Sequence, residues 1–64
     1  MRLQIDHSLG AGYTITDLDG DIATEVVRSA AGLWEILGLM RVPRDVIMDL
    51  ISRLNQEHSI QITY

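Results

Sequence analysis

Apolar and polar residues alternate at the start of the chain: Leu3 and Ile5 against Arg2, Gln4 and Asp6. This period-2 pattern predicts a strand over residues 1–6 with one wet face. Gly10 and Gly12 then permit the positive φ of a tight connection. Tyr13 and Ile15 alternate with Thr14 and Thr16, and Ile22, Thr24 and Val26 alternate with Ala23, Glu25 and Val27. An Asp19-Gly20 turn between them predicts strands two and three of a meander.

From Ser29 the period changes. Ser29 can cap a helix start, and SAAGLWEILGLM is helix-forming, apolar nearly all round and closed by Gly38 and Arg-Val-Pro. Such a helix is either buried on several sides or offers a face to a partner, with Trp34 as core residue or interface anchor. Val42 precedes Pro43 and disfavours helix, while Pro43 suits a first helical position. A second helix is therefore expected from about Pro43 to Glu57, with Val46, Ile47, Leu50, Ile51 and Leu54 at helical spacing. Ile60 and Ile62 against Gln61 and Thr63 predict a closing strand over residues 59–64.

The expected fold is α+β, in the order βββααβ: a four-stranded antiparallel sheet covered on one face by one short and one long helix. Residues 1–64 form one compact domain. Leu3, Ile5, Tyr13, Ile15, Ile22, Val26, Ile60 and Ile62 are expected to face the helices. Arg2, Gln4, Thr14, Thr16, Glu25, Gln61 and Thr63 form the opposite face. The topology also places the Asp19-Gly20 turn at the same end as Arg41 and Arg44, which would partly neutralise it.

Composition narrows the function more than the fold. The chain has 64 residues, 47% of them hydrophobic, and no Cys, so stability rests on packing without disulfides or thiolate metal sites. Nine acids against five bases give a net charge of -4, which opposes direct binding to nucleic acid or anionic membranes. Every base is Arg. No apolar run approaches the roughly 18 residues of a membrane span, so a soluble protein of the bacterial cytoplasm is expected.

Candidate chemistry concentrates in Asp17, Asp19, Asp21 and Glu25. With Gly20 at position 6 of a calcium loop, the first and twelfth positions fall on Ile15 and Val26, where carboxylates are needed, so no metal site is assigned there. The ordinary role of these acids is to keep a hairpin tip soluble. His7 and His58, with Asp6 or Glu57, gather at the other end, where zinc is conceivable but surface histidines are the simpler reading. No serine lies in a nucleophile motif, no Gly-rich phosphate loop is present, and no cofactor is implied. A non-enzymatic binding module remains.

In size, acidity and element order, from MRLQID through SAAGLWEILGLM and VPRDVIMDLISRLNQE to SIQITY, the chain resembles small phage-encoded anti-CRISPR proteins, most closely an inhibitor of type I-C CRISPR systems. The resemblance implies a monomer that binds the DNA-binding subunit of a CRISPR-Cas effector complex and blocks target DNA, by carboxylates placed where phosphates go or by bulk. Asp17, Asp19, Asp21 and Glu25 are the expected partner-binding array, with Asp45 and Asp49 as a second row. The alternative is a small homodimeric structural or regulatory module, joined through the apolar helix or a sheet edge.

Overall fold

A computed structural model describes residues 1–8, 10–20 and 23–64. Its elements are β1 (Arg2–Ser8), β2 (Gly12–Asp17), β3 (Glu25–Val27), α1 (Ala30–Leu39), α2 (Arg44–Glu57) and β4 (Ser59–Thr63). The four strands form one antiparallel sheet in the order β3-β2-β1-β4, so the first strand is central and the last pairs beside it. This is the expected α+β architecture in the expected βββααβ order.

Alternation along the strands sorts the two faces. Leu3, Ile5, Ile15 and Ile60 are buried against Leu33 and Leu37 of α1 and Ile47, Leu50 and Leu54 of α2, with Val42 closing the layer between the helices. Tyr13, Val27, Val46, Ile51 and Ile62 pack partly buried around this core. α1 lies toward β3, and α2 lies over β4 and β1. The other face carries Gln4, Asp6, Thr14, Thr16 and Gln61, where Gln61 Nε2 donates to Gln4 Oε1 and Gln4 Nε2 to the Asp6 carboxylate.

The third strand differs from expectation. β3 has only three residues, and its register sets Val27 opposite Tyr13 and Val26 opposite Thr14. Val27 therefore packs on the core, while Val26 is 63% exposed on the outer face and Glu25 shares the helix-side face with Ile15. A one-residue shift of register exchanges the faces of every side chain in a strand. The shift arises because β2 and β3 are not joined by a two-residue Asp-Gly turn. The Asp19 N–H donates to Asp17 Oδ1 (2.9 Å), the Gly20 N–H donates to the Asp17 carbonyl (3.2 Å), and Gly20 takes a φ of +77°, so the chain leaves the ladder at Asp17 and rejoins it at Glu25. Ile22, expected in the core, lies outside the described residues. At the other end of β3, Gly12 (φ +80°) lets the backbones meet: a Cβ there would stand 2.3 Å from the Val27 carbonyl oxygen.

The helix boundaries follow capping chemistry. Ser29 Oγ accepts from the Gly32 N–H (3.1 Å), as expected of an N-cap. α1 ends at the expected Arg-Val-Pro segment, and its end is set by Arg41. Arg41 adopts a φ of +64°, its N–H donates to the Gly38 carbonyl, and the Val42 N–H donates to the Leu37 carbonyl, both at 3.0 Å. This is a Schellman motif with arginine in the left-handed position usually taken by glycine, and it drives Val42 into the core. Pro43 caps α2 from just outside, and its carbonyl accepts from the Ile47 N–H (3.0 Å).

Candidate partner-binding site

Of the six carboxylates expected to meet a partner, the five within the described residues do not form one array. Asp17 lies opposite Leu3 on the helix-side face and is only 8% exposed. Its carboxylate closes the turn through the Asp19 N–H, so it is a structural residue rather than part of an open tip. Asp19 is exposed but held by Arg2, whose Nη2 and Nε donate to Oδ1 at 2.9 and 3.1 Å and whose backbone N–H donates to Oδ2 at 3.2 Å. These bonds hold the Asp19 carboxyl below its ordinary value of 3.8. Asp21 lies outside the described residues. Glu25 is exposed on the short edge strand.

The cation that neutralises the tip is thus Arg2. A central strand begins beside the turn that ends its neighbour, and Arg2 and Leu18 still bond through the Leu18 N–H and Arg2 carbonyl (2.9 Å). Arg44, expected near the acids, instead lies over the Trp34 ring at 5.6 Å, a cation–π distance. Trp34 is partly buried against the core beneath it.

Asp45 and Asp49 keep their expected exposure on α2. They belong to a longer row: Asp45, Asp49, Arg53 and Glu57 recur at every fourth residue, so they run along one side of the helix. Arg53 Nε donates to Glu57 Oε2 at 2.7 Å and its Nη1 to Asp49 Oδ2 at 3.4 Å. The pairing lowers the Glu57 carboxyl below 4.5 and raises the Arg53 guanidinium. Arg53 and Glu57 were not among the expected partner-binding residues, although their four-residue spacing from Asp45 and Asp49 is visible in the sequence.

The histidine end is partly as expected. His7 stacks on its cross-strand partner Tyr13 (centroids 4.5 Å apart, planes 12° apart), and the His58 ring is 6.4 Å away. His7 Nδ1 is buried without a hydrogen-bond partner among the described residues. Asp6, however, points to the opposite face toward Gln4. Among the described residues no three His, Asp or Glu side chains converge as a cation site.

A half-open cleft of about 410 Å³ lies between the β1–β2 turn and the start of α1, lined by His7, Tyr13, Arg28 and Ser29 among others. Ser29 Oγ is already committed to the helix cap. No described helix is long and apolar enough to cross a membrane. Comparison of the chain with protein-family models, with curated proteins and with solved structures yields no match.

Proposed function

We propose that this chain is a non-enzymatic inhibitor of the anti-CRISPR kind, which binds the DNA-binding subunit of a type I effector complex and keeps target DNA out. The observation that supports it best is the α2 row of Asp45, Asp49, Arg53 and Glu57, exposed and net negative. The acidic tip contributes less, because Asp17 is buried and Asp19 is neutralised by Arg2.

Charge density favours the steric of the two blocking mechanisms. Duplex DNA carries one charge per ~1.7 Å of axis. The α2 row spreads Asp45, Asp49 and Glu57 over about 18 Å of helix, with Arg53 among them. It is too sparse to replicate a phosphate backbone. It suits a protein surface whose Arg and Lys groups alternate with acceptors, so the inhibitor works by bulk and uses its acids to choose where it docks. A homodimer through Trp34 has less support, since that ring is partly buried and covered by Arg44.

The test is binding of the chain to a purified type I-C effector complex by interferometry at two salt concentrations, beside a DNA-binding assay. Asp45→Asn with Asp49→Asn is expected to weaken binding about tenfold and to flatten its salt dependence. No binding at micromolar concentration would overturn the reading.

A further inference from the structure

β4 is an open edge of the sheet. The phase of its ladder follows from the flanking bonds: the His7 N–H donates to the His58 carbonyl (2.7 Å) and the Tyr64 N–H to the Met1 carbonyl (3.0 Å). Even-numbered residues of β4 therefore bond to β1, and the amides and carbonyls of Ser59, Gln61 and Thr63 point outward. Open edges normally carry a charge, a proline or a bulge that discourages pairing. Ser59–Thr63, SIQIT, has no charge or proline, and its register with β1 runs unbroken. β3, the opposite edge, is three residues long.

Three residues of the α2 row, Asp49, Arg53 and Glu57, belong to the flank on the side of this same edge. Arg44 reaches Trp34 of α1, which fixes the flank of α2 that faces α1. At about 100° per residue, Val46, Asp49, Arg53 and Glu57 fall on the opposite flank, above β4. α2 and β4 run antiparallel through the connection at His58. Four residues of helix rise about 6 Å and two residues of strand about 6.8 Å. Glu57, Arg53 and Asp49 consequently repeat along the edge at nearly the spacing of alternate strand residues.

We propose that β4 receives an extended segment of the protein partner as a fifth strand, with two basic residues four apart on its helix-side face meeting Glu57 and Asp49. The central helix-side residue between them is uncharged, because it lies beneath Arg53. A second copy of this chain is the poorer occupant, since it would set two net-negative α2 flanks against each other. The proposal rests on the partner-facing reading of α2 and names what that flank receives.

The probe is the synthetic peptide Thr-Arg-Thr-Val-Thr-Arg-Thr, whose arginines share one face of a strand. Added to the isotope-labelled chain, it is expected to slow amide exchange at Ser59, Gln61 and Thr63. The isomer Thr-Thr-Arg-Val-Arg-Thr-Thr cannot set two arginines four apart on one face in any register and is expected to bind about tenfold more weakly, as is the version with Glu for Arg. Gln61→Pro and Thr63→Pro each remove one outward N–H and should abolish binding, whereas Gln61→Ala should not.

Equal binding of the two arginine isomers, unchanged exchange at the three amides, or no binding at millimolar peptide would overturn strand addition. Protection of those amides by self-association without peptide would overturn the choice of occupant. The peptide stands in for the partner, so these outcomes are independent of whether the chain binds an effector complex.

Discussion

Asp19 and Asp17 are two residues apart, yet one is an exposed ion pair and the other a buried turn acceptor. The difference is where the strand ends: Asp17 is the last residue of β2 and falls on the helix side, while Asp19 lies past the strand in the turn. Because hydrogen bonds from Arg2 depress the Asp19 carboxyl, its contribution to stability is fully present above the unfolded value of 3.8 and is lost as pH falls through the lower folded value. Carboxyl NMR titration should place the Asp19 midpoint below 3.8, and Arg2→Ala should return it there. An unchanged midpoint in that variant would mean the ion pair is not formed in solution. The spacing of the acids announced a charged turn. It did not reveal that Arg2, 17 positions before Asp19 in the chain, supplies the counter-charge, because that contact depends on β1 pairing with β2.

At the scale of elements, the helices were legible because each carries its own signals. Ser29 caps α1, the 3.6-residue period marks the buried side of α2, and the Val42-Pro43 pair separates them. The end of α1 was less legible, since Arg41 is an ordinary residue in an unusual conformation. A non-glycine residue in the left-handed region costs about 1–2 kcal/mol, and glycine returns part of this through its greater freedom when unfolded. Arg41→Gly is accordingly expected to stabilise the chain by about 0.5–1 kcal/mol, read as a raised urea midpoint with the slope unchanged. β3 was misread for a related reason. Ile22, Thr24 and Val26 alternate as well as Ala23, Glu25 and Val27 do, so pattern alone leaves two registers equally acceptable. Gly12 and Tyr13 choose between them, by admitting the Val27 carbonyl and by pairing with Val27 on the core side.

For the whole molecule, one thin apolar layer between sheet and helices holds everything in place. A core of this size supplies about 3–5 kcal/mol, and truncating one buried leucine removes about 2–5 kcal/mol. Leu50, at the centre of that layer, faces both conditions. Leu50→Ala is expected to leave most of the chain unfolded at 25 °C, seen as loss of far-UV helical signal, and retention of a cooperative native melt would show that stability lies elsewhere. The sequence by itself determined the fold class, the order of elements, the two-helix layer and the net negative charge, because periodicity, caps and composition are local quantities. Only the tertiary structure decided which carboxylates face outward, that the fourth strand pairs with the first, and that α2 packs over that strand. These depend on strand register and on which flank of a helix meets its neighbour, and both are settled by packing between residues far apart in the chain.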